Sequence, residues 1–348
     1  MTKNTLRSLG IAIAASMLVA GCGGGGEPAK RGTLAQNGWQ SVVSAAKEEG
    51  KVTWYTVAPQ QVQKDLESAF EKAYPDIDLE VRSAHPNELD SAIETEQKTG
   101  TEGADVVTSV SYAWVEDKSS KGWLADLLGP STKASEWSGE FMIDRRILVA
   151  PLGLIVLGWN KQLLPGGVKT YQDLLNPDLA EGAIGVPSSE VAINADFWAF
   201  LEDNYGANFV ASLAKQKPAK YTGAFSTQEA LAAGEIAVGM FVSATDMSGL
   251  KQKGAPVDFA VPNPAWAAQN LFFALKHAHH PNASQVFMDF LASPEGQLAV
   301  ARNAYSPLKA VAPKTAGAGT KVVLTDVDRM TDKKWVADYN AKWKSMFG

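Results

Sequence analysis

Cysteine is almost absent from this chain of 348 residues, which carries one, Cys22. A single thiol excludes an internal disulfide framework and any zinc site built from clustered cysteines. Histidine is scarce too, with His85, His277, His279 and His280 the only four, so a serine–histidine triad has few bases to draw on. No G-x-S-x-G elbow, H-E-x-x-H helix or phosphate-binding loop occurs. The common hydrolase, zinc-peptidase and nucleotide-enzyme signatures are therefore missing, and the chain is not expected to be an enzyme. Basic residues number 32 against 38 acidic, a net charge of −6. That balance argues against nucleic acid, whose phosphates call for a basic surface. No apolar run approaches the roughly 20 residues that span a bilayer.

What is present starts at the N-terminus. Lys3 and Arg7 precede an apolar run of 12 residues, LGIAIAASMLVA at 9–20, and Ala20 and Gly21 lead directly into Cys22. Charged start, apolar core and small residues follow the order of a secretory signal. Val19-Ala20-Gly21-Cys22 resembles the bacterial lipobox. The resemblance implies cleavage before Cys22 and a diacylglyceryl group on its sulfur, with fatty acyl chains such as palmitate. The alternative is an ordinary signal peptide with an incidental cysteine. On the lipobox reading, residues 1–21 are the signal peptide and 22–36 a lipid-anchored flexible tether. The mature protein is then extracytoplasmic, lipid-anchored to the cell membrane and not spanning it.

From Trp39 onward the pattern is strand, loop and amphipathic helix, repeated. KVTWYTV (51–57) is β-rich, and Val62, Leu66, Phe70 and Ala73 then recur at helical spacing. IDLEVRS (77–83) alternates, NELDSAIETEQKTG (87–100) reads as a polar helix, and ADVVTSV (104–110) as a buried strand. Such alternation predicts an α/β sheet with helices on both faces. RRILVAPLGLIVLGWN (145–160) is too long for one ordinary strand and suits a crossing between two domains. APVDFAVPNPAW (255–266), with three prolines, is the candidate return crossing. Ser226, three residues before Glu229, has the spacing of a capping box.

The order of these elements resembles bacterial ABC-transporter solute-binding proteins of the type II periplasmic-binding-protein fold, and among them the iron(III)-type branch. The matching stretches include VTWYT, LESAFEKAYPDIDLEV, ADVVTSV, VLGWNKQLLP, YQDLLNPDLAEGAIGVP, EALAAGEIAVGM, NLFFALKHAHHPNASQVFMDFLASPEGQ and YSPL. The resemblance implies two lobes, each a mixed sheet flanked by helices, with a cleft between. Lobe 1 is expected from 37–148 plus 264–348, and lobe 2 from 149–263. It also implies capture of a small-molecule solute, delivery to ABC permease subunits, a monomeric state and no cofactor.

Iron(III) binders of this branch usually carry two adjacent tyrosines after the strand matching IAVGMFVS (236–243). Here Ala244-Thr245 stand in that place. A hard cation needs anionic oxygen, and Asp246, Glu190 and Tyr112 are the remaining donors, so no metal is expected and iron held by atypical ligands is the alternative. A structural or sensory envelope lipoprotein is the second alternative. Ligands of open α/β sheets bind beyond the carboxyl ends of the strands. Those ends carry Tyr55, Thr56, Ser109, Ser111 and Tyr112 in the first lobe, and Ser188, Ser189, Asn194, Ser243 and Thr245 in the second. Hydroxyls beside helix starts suit a small polar or anionic solute, an organic acid or phosphonate; any one serine there also serves as a helix cap. Arg146, Trp114, Trp266 and Glu190 are secondary candidates. The cluster His277, His279, His280 is expected in an exposed turn.

Overall fold

The computed structural model describes residues 31–348. The signal segment and the attachment residue Cys22 lie outside the described residues. The chain folds as α1 (Trp39–Glu49), β1 (Lys51–Thr56), α2 (Gln60–Ala73), β2 (Asp78–Ser83), α3 (Pro86–Thr99), β3 (Val106–Ser109) and α4 (Tyr112–Ser120). A hairpin follows, β4 (Met142–Ile143) and β5 (Ile147–Asn160), then β6 (Ile184–Pro187), α5 (Ala192–Tyr205), α6 (Ala207–Lys215) and β7 (Ala219–Tyr221). Next come α7 (Ala224–Ala233), β8 (Val238–Ser243), α8 (Ala244–Gln252), β9 (Val257–Ala260) and β10 (Ala265–Ala274). The chain closes with α9 (Pro281–Ala292), α10 (Pro294–Ala301), β11 (Val322–Leu324), α11 (Val327–Thr331) and α12 (Lys333–Phe347). The expected α/β class is the one observed.

Local chemistry accounts for the elements. In α2 the apolar residues Val62, Leu66 and Phe70 recur every fourth position and are the buried ones, the stripe a core-facing helix needs. β3 reads VVTS and is buried throughout, as a strand covered on both faces must be. In β1, Trp54 packs with α2 and α9 while Tyr55 packs with α3 on the other face, which follows from the two-residue period of a strand.

The strands pair in the order β2-β1-β3-β10-β5-β8-β6-β7. β1 runs parallel to β2 and β3, whereas β10 is antiparallel to β3 and β5. β5 is the long crossing. Its Leu148 and Ala150 enter the core of the first lobe, and Leu154 and Val156 enter a core of the second. Gly153 lies against β10, where a Cβ would sit 2.7 Å from that of Ala268, so only glycine lets the two crossing strands approach there. The return crossing is β10 rather than 255–266: β9 still pairs with β5 inside the second lobe, and Pro262 and Pro264 break the ladder before β10 begins.

Two expectations about chain ends are corrected. α12 was expected in lobe 1, yet Trp343 and Phe347 pack at a tilt against Trp198 of α5, with ring centroids 6.0 and 4.8 Å away. Its apolar face therefore belongs to the second core. The last residues assigned to the tether are held as well. Gly32 donates to the His279 carbonyl at 2.8 Å, Ala35 donates to Asn282 Oδ1 at 2.9 Å, and Asn282 Nδ2 donates to the Thr33 carbonyl at 2.9 Å.

Candidate functional site

The strand ends of both lobes lead into helix starts, and an open cavity of about 690 Å³ lies between them. The first lobe supplies Pro59, Gln60, Gln61 and Lys64 from the start of α2. The second supplies Phe225, Gln228, Glu229 and Ala232 from α7, and Thr245, Asp246, Gly249, Leu250, Gln252 and Lys253 from α8. A small solute reaching both walls would bridge the lobes.

Local sequence sets up this cavity. Helix α7 begins after Gly223, two residues before the expected cap. Ser226 instead donates back to the Gly223 carbonyl at 3.1 Å, and the early start leaves the Phe225 ring 72% exposed in the cleft. α8 is capped by Ser243, whose hydroxyl accepts from the Asp246 amide at 3.4 Å. Gln228, nearly buried, fastens the two helices: its carbonyl oxygen accepts from the Ser243 amide at 2.9 Å and its amide donates to Asp246 at 3.4 Å. α2 and α7 start without a side-chain cap, so their first N–H groups lend positive potential to the cavity. Lys64 and Lys253 enter no ion pair among the described residues.

Of the strand-end residues proposed from sequence, Thr245 alone lines this cavity, beside Asp246 from the metal-donor candidates. Thr245 also donates to the Asn303 carbonyl at 3.3 Å. Ser243 contributes through Asp246. Several of the others bond within their own lobes. Arg82 donates to the Tyr55 hydroxyl at 2.7 Å, and Tyr55 donates to Glu96 at 2.7 Å; burial, aided by Glu96, pushes the phenol up to about 12. Thr56 Oγ1 accepts from the Ala58 amide at 2.9 Å, and Ser109 Oγ accepts from the Ser111 amide at 3.0 Å. Asn194 donates to the carbonyls of Ser188 and Thr222, at 2.7 and 3.0 Å. Ser188 also donates its amide to the Tyr221 carbonyl at 2.7 Å, while Ser189 is fully buried with its hydroxyl unpartnered. Polar strand ends thus mostly satisfy turns, as buried polar groups must.

Tyr112 lies elsewhere. Its hydroxyl donates to the Gln269 carbonyl at 2.8 Å, and burial raises its pKa strongly. It lines a second groove of about 580 Å³ with α4, the β4–β5 hairpin and α11. That groove is on the opposite face of β5, the face of Ile147 and Val149. Arg146, also there, is paired with Asp126 at 2.7 Å. Glu190 is exposed and 3.9 Å from Lys344. The set Asp246, Glu190 and Tyr112 is therefore not assembled, and among the described residues no three His, Cys, Asp or Glu side chains come together as metal ligands.

The two tryptophan candidates are structural. Trp114 donates to Glu94 at 3.0 Å. Trp266 is buried and donates to Asp196 at 3.0 Å. Asp196 also accepts from the Asp326 amide at 3.2 Å and sits 3.6 Å from Arg329, tying β10 to α5 and α11. Burial pushes its carboxyl up to about 6, above the roughly 3.9 of an unfolded aspartate. The folded chain then binds more protons between those values, so this group's contribution falls as pH rises from about 4 to about 6. Asp196→Asn keeps an acceptor for Trp266 and is expected to flatten the urea-midpoint profile over that window; an unchanged profile contradicts the assignment.

The histidine cluster is an exposed turn only at His277, and its other two members turn inward. His279 is buried, and His280 bonds through Nδ1 to the fully buried Asp105 at 2.8 Å.

Residues 52–306 match the sequence profile described as bacterial extracellular solute-binding protein. No curated sequence relative matches the chain. Solved structures that resemble it include a substrate-binding protein of an ABC transporter from Agrobacterium tumefaciens, with 16% identity, TM-score 0.67, and 87% of this chain and 96% of that one covered. Another is iron-bound HitA from Pseudomonas aeruginosa, with 20% identity, TM-score 0.55, and 85% and 98% covered. A third is PotD, the spermidine/putrescine binding protein of Streptococcus pneumoniae, with 13% identity, TM-score 0.57, and 86% and 99% covered. Identities this low establish the fold and leave the solute open. The profile covers most of the chain, and by it the chain belongs to the bacterial extracellular solute-binding proteins.

Proposed function

We propose that the chain is the solute-binding component of an ABC importer and that it takes a small polar organic solute bearing an acidic group. The observation that carries this reading is the cleft of about 690 Å³ walled by both lobes, with Lys64, Lys253 and the uncapped starts of α2 and α7 offering positive potential. Glu229 and Asp246 sit in the same cavity, so an additional ammonium or hydroxyl on the solute also finds a partner. Capture follows from closure: only the closed state lets both walls contact one molecule, so solute shifts the chain towards it. Calorimetric titration of the intact chain with carboxylates and phosphonates tests the reading, and a silent panel from both series contradicts it.

Among neighbours of the same fold, one is iron-bound and another is the binding protein of a spermidine/putrescine transporter, at identities that carry the fold alone. The lipobox-like Val19-Ala20-Gly21-Cys22 supports an N-terminal lipid anchor. Mass spectrometry of the cell-derived protein is expected to find a diacylglyceryl mass on Cys22; an unmodified thiol there contradicts it.

A further inference from the structure

Phe225 is the most exposed large hydrophobic side chain among the described residues, at 72%. Its neighbour Ala224 packs against the second core, whereas its own ring joins no hydrophobic cluster and no aromatic pair among the described residues. A ring left in water contributes nothing to the fold. It stands in the cleft, on the wall that carries Leu250 and Ala232 and across from Pro59 and Gln60 of the other lobe. A hydrated ion gains nothing from such a ring, and an organic body gains both burial and face contact when the cleft shuts.

We propose that the cleft selects organic acids with a flat or hydrocarbon body, and that Phe225 makes this selection by covering that body while Lys64 attracts the acidic group. The proposal rests on the reading of the cleft as a solute site and narrows it to a substrate class. Lys64 alone attracts any small anion; the ring is what distinguishes phenyl from methyl.

The test uses charge-matched pairs on the intact chain: phenylphosphonate against methylphosphonate, and benzoate against acetate, titrated calorimetrically. The phenyl member of each pair is expected to bind about tenfold more tightly, the discrimination a single buried ring supports. Phe225→Ala is expected to erase that difference, and Phe225→Trp to keep it. Equal binding of the two members by the unmodified chain overturns the proposal and leaves the cleft reading standing. Equal weakening of both members in Phe225→Ala also overturns it, because the ring then acts on closure against Pro59 rather than on the solute. No binding by any of the four probes overturns the proposal and the cleft reading together.

Discussion

Replacing Gly249 with tryptophan is expected to abolish solute binding while the melting temperature stays unchanged or rises. Gly249 lies on α8 and lines the cleft, and a Cβ built on it meets nothing within 4 Å. A side chain begun there starts in open space on the cavity wall, and an indole is expected to extend into the cavity. Glycine inside a helix costs about 0.5–1 kcal/mol relative to alanine, so relief of that cost favours the fold. Closure fails because the indole occupies the space the lobes must share with the solute. If closure supplies most of the affinity, blocking it weakens binding by about a hundredfold or more. Gly249→Ala, which adds one methyl group to open space, is the control and keeps near-normal affinity. Normal affinity in Gly249→Trp would place the solute outside this cleft. A large fall in melting temperature would show instead that the site around Gly249 is not open.

The second large effect concerns stability. Asp105 has no exposed surface, yet it carries a carboxylate. Four groups meet it: the amides of Thr53, His279 and His280, at 2.9, 3.0 and 3.0 Å, and the His280 ring at 2.8 Å. The carboxylate thus ties β1, the entry to β3 and the turn before α9. Asp105→Ala leaves those buried donors without an acceptor and is expected to cost about 3–5 kcal/mol. Against a typical total of about 5–15 kcal/mol, that is a large share. Asp105→Asn keeps one accepting oxygen and loses less. Burial lowers the His280 pKa, but the bond and charge of Asp105 outweigh it and the net shift is upward. The pair's contribution is therefore full below the ordinary histidine value of about 6.5 and lost as pH rises through the raised one. The gap between Asp105→Ala and the unmodified chain, read from urea midpoints, should narrow on that rise. A cost below about 1 kcal/mol would mean water satisfies those donors.

Sequence pattern reached the elements and stopped at their partners. KVTWYTV and the Val62–Leu66–Phe70 spacing located β1 and α2 because a strand's two-residue and a helix's 3.6-residue periods are properties of the chain alone. The hydroxyls at strand ends were legible as positions but not as roles. Ser109 and Thr56 accept from amides two residues on, and a serine that turns the backbone looks the same in sequence as one that faces a solute. Phe225 was missed because its exposure depends on where α7 begins, and Gly223 rather than Ser226 precedes that start. Asp105 and His280 are 175 residues apart. The buried aspartate opening ADVVTSV and the histidines of HAHHPN were visible separately, and only the fold joins them. α12 reads as an amphipathic helix either way; that Trp343 meets Trp198 is a fact of packing, not of period.

Solute capture requires the two walls of the cleft to close on the bound molecule. Small-angle X-ray scattering of the intact chain, with and without a solute shown by calorimetry to bind, tests this most directly. A smaller radius of gyration with solute is expected for the unmodified chain, and no change for Gly249→Trp under the same conditions. Superimposable profiles for the unmodified chain with saturating solute would contradict it, because binding would then occur without the lobes coming together.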